Sequence, residues 1–142
     1  MPAAEIVTIA DAVTTAINDA TLSQAVDAER VYVAPYDLKD LAELRVNVIP
    51  GGAESEQLSR SQHTHTKTVE VVSQKRTDRT KGMLDALTLF VEEIADLFRG
   101  QRLDEYEPAY CSSVVVSGHD PDMLDQEGRF VSVVSLTFQV RR

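Results

Sequence analysis

The residue pair in this sequence that could most directly bind a metal is His63 and His65. With one residue between them, both imidazoles project from the same side of an extended segment, and that spacing can ligate a metal ion. A third ligand would have to come from a distant part of the chain, such as His119 or Asp120, and nothing in the sequence brings these residues near. Since histidines in a polar loop are usually solvated, we predict that the chain binds no structural metal.

The sequence contains no other arrangement of side chains that favours catalysis. Cys111 is the single cysteine, which excludes an intrachain disulfide and a cysteine-based zinc cluster. Glu92 and Glu93 are adjacent, and successive residues of a helix point about 100° apart, so these two carboxyl groups cannot share a proton. The sequence also lacks a Gly-x-Ser-x-Gly turn and a glycine-rich phosphate loop. We therefore predict neither an enzyme nor a cofactor.

Length and composition predict one soluble globular domain. The chain has 142 residues, a formal net charge of −9 and 43% hydrophobic residues, which is enough for a substantial core. No apolar run approaches the roughly 20 residues that span a bilayer, and the N-terminus lacks the pattern of a secretory signal. The acidic balance argues against binding of free nucleic acid, which needs cations that neutralise phosphates. A reducing cytosol is the expected environment.

Two charge clusters of opposite sign occur in the second half of the chain. The basic cluster comprises Lys75, Arg76, Arg79 and Lys81, and Asp78 is the single acidic residue between them. The acidic residues are Asp104, Glu105, Glu107, Asp120, Asp122, Asp125 and Glu127. Either cluster alone is typical of solvated turns. Together they indicate a complementary contact between copies of the chain, so we predict that both contribute to a subunit interface.

The elements that must position these residues begin with two amphipathic helices. Residues 80–99 carry an apolar stripe at alternating steps of three and four, and Gly100 follows where a helix commonly closes. A first helix is predicted to start at Thr8 as N-cap, with Asp11 as its capping-box partner. The run from His119 to Asp122 contains the Asp-Pro pair of ordinary turns, so we predict a turn region there that ends at Gly128.

Alternating apolar residues predict five strands, at residues 29–34, 43–49, 67–74, 110–117 and 130–140. In the second of these, Arg45 and Asn47 are expected to face outward. Pro50, Gly51 and Gly52 are expected to end it, and a short helical turn is expected at residues 36–42. The polar stretch at residues 51–66 would form the mobile tip of a long antiparallel hairpin. The predicted fold class is α+β, a single domain with a mostly antiparallel sheet and two main helices packed on it.

Eight segments follow one another in a recognisable order: RVYVAP, DLKDL, LRVNVIP, the polar tip with Ser59 and Arg60, TVEVVSQKR, MLDALTLFVEEIADLFRG, DPDMLDQEGRF and VSVVSLTFQVR. Together they cover nearly the whole chain. In their order, they resemble the tail-completion or tail-terminator proteins of long-tailed bacteriophages and prophages.

This resemblance implies a structural protein of the virion without catalytic activity. Such proteins form a closed homomeric ring, typically a hexamer, on the end of the tail tube at the tail–neck junction, after assembly in the host cytoplasm. Their partners are the tail tube protein and a head-completion or connector protein, while DNA only passes through the channel and no membrane is involved. The residues implied to contact tube or neck are those of the polar tip, Glu54, Glu56, Arg60, His63 and His65.

Two alternatives remain open at the level of the sequence. The first is a neighbouring neck or head–tail connector component, because these families share folds and sizes. The second, from a different class, is a small cytoplasmic hydrolase or ligand-binding domain. The mass of the purified particle in solution and the neighbouring genes would distinguish them.

Overall fold

A computed structural model of the chain describes residues 4–33, 41–57, 60, 63–103, 106 and 108–141. These residues form one compact mixed α/β domain. The elements are α1 (Glu5–Asp19), β1 (Glu29–Arg30), β2 (Arg45–Gln57), β3 (His63–Arg76), α2 (Lys81–Phe98), β4 (Tyr110–Ser117), α3 (Pro121–Glu127) and β5 (Arg129–Arg141). Within the described ranges, no helix is long and apolar enough to cross a membrane.

The sheet has five strands in the order β1-β2-β3-β5-β4. Only β1 and β2 pair in parallel, and every other neighbouring pair is antiparallel. The predicted fold class is therefore confirmed, including the antiparallel hairpin between β2 and β3. Both long helices contribute to one core, with α1 on β1–β3 and α2 on β4 and β5.

The core lies where the helical periodicity predicted it. Leu87 and Ile94 of α2 are buried against strand residues that include Val69 and Leu136. The Thr80 hydroxyl accepts a hydrogen bond from the backbone N–H of Met83, as an N-cap side chain does. This helix is confirmed nearly to the residue, because its apolar stripe, its cap and its closing glycine all agree.

The first helix begins earlier than predicted, at Glu5, and its N-cap is Ala4 rather than Thr8. The Thr8 hydroxyl lies within the helix and donates to the Ala4 carbonyl at 3.4 Å. The early start is stabilised by a tertiary contact, in which the Tyr106 hydroxyl donates to a Glu5 carboxylate oxygen at 2.8 Å. The predicted capping box was wrong because this partner lies 101 residues away in the chain.

Strand β2 continues through Pro50, Gly51 and Gly52, where the sequence predicted its end. The ladder between β2 and β3 shifts register between Pro50 and Ala53 as a β-bulge and then resumes. The polar stretch that followed was expected to be an irregular, mobile tip. That expectation was wrong for residues 53–57 and 63–66, which are strand. Residues 64–66 pair with β2 on one side and with β5 on the other.

Two further predictions need correction, and a third concerns residues that the structure largely does not describe. The predicted strand at residues 29–34 is only two residues long; Val31 still donates to the Val48 carbonyl at 3.0 Å, but Val33 is 71% exposed. Asn47 was expected to face outward, yet it is fully buried, with Glu29 of β1 and Val72 of β3 as its neighbours in the sheet. The helical turn expected at residues 36–42 lies largely outside the described residues.

The turn predicted after His119 contains a third helix, α3. The Asp120 carboxylate accepts hydrogen bonds from the N–H groups of Asp122 and Met123, Pro121 occupies the first turn, and Gly128 ends the helix with φ +65°. These are ordinary start and stop signals for a helix. They were interpreted as a turn because the segment is too short to show helical periodicity.

Candidate assembly surfaces

The basic cluster begins at the end of β3. Arg76 is exposed and lies directly opposite Arg129 of β5 in the antiparallel ladder. Like charges directly opposite each other destabilise a strand pair. Lys75, one residue earlier, is half-buried opposite Phe130. This end of the sheet therefore presents adjacent cations that are suited to an anionic partner.

Arg79 connects the basic cluster to the acidic helix α3 within one subunit. Its guanidinium donates to the carbonyls of Leu124 at 2.9 Å and Asp125 at 2.8 Å. These groups lie in the last turn of α3, where a cation is favourable, and the Leu124 carbonyl also accepts from the Gly128 N–H at 3.1 Å. The Thr77 N–H also donates to the Gly128 carbonyl at 2.8 Å. Arg79 therefore has internal partners, which the sequence could not indicate.

Three of the predicted acidic residues lie at α3, namely the N-cap Asp120 and the helix residues Asp122 and Asp125. All three are exposed, and the Asp120 carboxylate caps the helix. Asp104, Glu105 and Glu107, which were also predicted at an interface, lie outside the described residues. In the turn before α2, hydrogen bonds from the Thr80 N–H and hydroxyl lower the pKa of Asp78. Asp78 is therefore ionised at neutral pH beside the basic residues.

His63 and His65, whose spacing could ligate a metal, lie at the start of β3, with ring centroids 6.1 Å apart. His65 pairs with Val140 of β5, whereas His119 stacks on Phe130, with centroids 6.2 Å apart. Val140 and Phe130 are ten residues apart in β5, which corresponds to about 33 Å along a strand. His119 therefore cannot complete a site with His63 and His65, and the described residues contain no group of three metal-binding side chains.

The residues predicted to contact tube or neck are mostly strand residues. Glu54 and Glu56 lie in β2 at the positions opposite Thr66 and Thr64, and Arg60 is exposed in the connection between β2 and β3. Cys111, the single cysteine, is buried, and burial raises the pKa of its thiol. A buried thiol with a raised pKa carries little thiolate at neutral pH.

Two surfaces were missed in the sequence. The outer edge of β4 exposes apolar side chains, with Val115 57% and Val116 39% exposed. A groove of about 480 Å³ also lies between α1 and the end of α2, lined by small residues such as Ala12 and Ala16. The main apolar stripe of α1 is buried in the subunit's own core.

Comparison with protein-family models and with curated proteins found no match to this chain.

Proposed function

We propose that this chain is a structural virion protein that forms a homomeric, hexameric ring on the head-proximal end of a phage tail tube. The ring ends tube polymerisation and offers a surface to head-completion or connector proteins. Support comes from the order of sequence features along nearly the whole chain. A mixed α/β domain with a largely antiparallel sheet is also the kind of fold that this resemblance implies.

The observation that carries the proposal is that a basic and an acidic surface lie side by side at one end of the subunit. Arg76 and Arg129 are adjacent on β3 and β5. The exposed Asp122 and Asp125 belong to α3, and the hydrogen bonds of Arg79 hold this helix at the same end of the sheet. A heterologous interface brings different patches of neighbouring subunits together. Opposite charges can therefore repeat around a ring without contact between like charges.

The internal role of Arg79 narrows the interface to fewer residues than the charge clusters contain. On the basic side we assign contact to Lys75, Arg76 and Lys81, and on the acidic side to Asp122 and Asp125. Each exposed pair contributes only about 0.2–1 kcal/mol. Charge therefore determines the register and choice of partner more than the strength of the ring, and apolar contact must supply most of the affinity.

The role is tested by deleting the chain from a phage that encodes it and imaging the tails. We expect tail tubes of uncontrolled length that do not join heads, together with a ring of several copies at the head-proximal end of wild-type tails. Tails of normal length that join heads after deletion would contradict the role. A single copy per virion would contradict the ring.

The charge assignment is tested separately with the double substitution Lys75→Glu and Arg76→Glu. We expect folded subunits that no longer assemble on tails. Arg99→Glu is a suitable control, since Arg99 is exposed at the opposite end of α2. Full assembly of the double variant would contradict the proposal that charge determines the register, but it would not contradict the proposal of a ring.

A further inference from the structure

Strand β4 is an edge strand whose outer side is only partly covered. The Cys111 N–H donates to the Gln101 carbonyl at 2.9 Å, and Leu103 donates to Ala109 at 3.2 Å, so residues 101–103 run along the first part of this edge. A bulge follows between Cys111 and Ser113. Beyond it, no strand in the described part of the chain pairs with residues 113–117 on the side away from β5.

The open part of this edge lacks charged residues and proline, two of the usual protections against association. Residues 113–117 read Ser-Val-Val-Val-Ser, without a charge or a proline, and natural proteins usually protect edge strands with such residues. The opposite side of the sheet differs, since β2 carries Pro50 and the acidic residues Glu54 and Glu56. The β4 edge is therefore the one suited to strand addition.

The five residues form a sequence palindrome, and this property selects a second copy as the occupant. We propose that residues 113–117 pair antiparallel with the same residues of a second copy, about a two-fold axis at Val115. Ser113 then lies opposite the partner's Ser117, Val114 opposite the partner's Val116, and Val115 opposite the partner's Val115.

An isologous contact requires a surface that is complementary to itself, and the palindrome meets that requirement at every position. Valine lies opposite valine and serine opposite serine, and no like charges meet. The side chains of Val115 and Val116, exposed in the single subunit, then gain apolar neighbours. The two five-stranded sheets become one continuous sheet across the axis. This dimer is a property of the isolated chain and does not depend on the proposed function.

The first test measures the mass of the purified chain by sedimentation. We expect the 15.7 kDa wild-type chain to form dimers. Val115→Lys places two ammonium groups opposite each other at the axis, and we expect it to raise the dissociation constant about 100-fold or more. Leu89→Lys is the matched control, because Leu89 is 51% exposed and belongs to α2 rather than to β4; this variant should remain dimeric. A monomeric wild type, or a Val115→Lys chain that associates as tightly as the control, would overturn the proposal.

The second test determines the register by disulfide crosslinking under mild oxidation. Val115→Cys should crosslink, because the two copies of this residue face each other. Ser113→Cys alone should not, since the two copies lie about 13 Å apart along the strands, whereas Ser113→Cys combined with Ser117→Cys should. The wild type controls for the buried Cys111. Equal crosslinking of the Ser113→Cys and Val115→Cys chains, or none in the latter, would refute the palindromic pairing.

Discussion

At the scale of single residues, two serines that face each other across β3 and β5 differ in their hydrogen bonds. Ser73 and Ser132 are cross-strand partners and both are buried. The Ser132 hydroxyl donates to the Ser117 carbonyl at 2.7 Å, whereas the Ser73 hydroxyl has no partner among the described residues. A buried polar group without a partner costs about 1–3 kcal/mol.

We predict opposite effects for the two alanine substitutions. Ser73→Ala should leave the free energy of unfolding unchanged or raise it by about 1 kcal/mol, because it removes a buried hydroxyl that makes no hydrogen bond within the described part of the chain. Ser132→Ala should lower it by about 1 kcal/mol, because a hydrogen bond is lost. Urea unfolding of both variants measures the difference. Equal losses would show that the Ser73 hydroxyl is satisfied in solution.

Arg79 supports a second residue-scale prediction, because it combines a left-handed backbone, with φ +64°, with the hydrogen bonds to α3. Arg79→Ala and Arg79→Gly both remove these bonds, and each should lower the free energy of unfolding by about 1–2 kcal/mol. Glycine tolerates positive φ, so Arg79→Gly should be the milder substitution by about 1 kcal/mol. A glycine variant less stable than the alanine variant in urea unfolding would contradict this explanation.

At the scale of elements, β2 continues through Pro50, Gly51 and Gly52 because Gly51 permits close contact with β3. A Cβ atom on Gly51 would lie 2.7 Å from the Thr68 carbonyl oxygen, whereas a Cβ on Gly52 would meet nothing within 4 Å. Glycine is thus required at the first position and optional at the second. The bulge places the extra residue of β2 where the ladder can resume at Ala53.

The two glycines provide a matched pair of substitutions. Gly51→Ala should lower the free energy of unfolding by about 1–3 kcal/mol, the usual cost of forcing extra volume into a packed site. Gly52→Ala should change it by less than about 0.5 kcal/mol, as surface substitutions do. Thermal and urea unfolding measure both values. Similar losses in the two variants would mean that contact with Thr68 does not limit this position.

At the scale of the whole molecule, the hairpin of β2 and β3 is part of the sheet rather than a free arm. Strand β5 runs alongside β3 as far as the pair of Thr64 and Arg141. In the isolated subunit, trypsin should therefore cut after the exposed Arg60 well before it cuts after Lys67, which is paired on both sides. Time-resolved mass spectrometry of the digest distinguishes the two sites. Equal rates would show that the ladder opens locally in solution.

The sequence by itself determined those elements whose signals are local. Helix α2 and strands β4 and β5 follow from apolar periods of 3.6 and 2 that extend over whole elements, with caps and glycines at their ends. The residues of the charged surfaces could also be identified from the sequence, because the charge of a side chain follows from its residue type. These properties need no knowledge of distant parts of the chain.

Only the tertiary structure decided the features that depend on partners far apart in sequence. Strand β2 continues through Pro50 and Gly51 because β3 offers backbone groups beyond the bulge. Arg79 donates to the backbone carbonyl of Leu124, 45 residues away, so that its guanidinium binds the end of α3 within one subunit. Among the described residues, the β4 edge is open at Val115 because residues 101–103 cover only its beginning. Hydrogen bonds and packing between distant segments are cooperative properties of the folded chain, and a local pattern does not contain them.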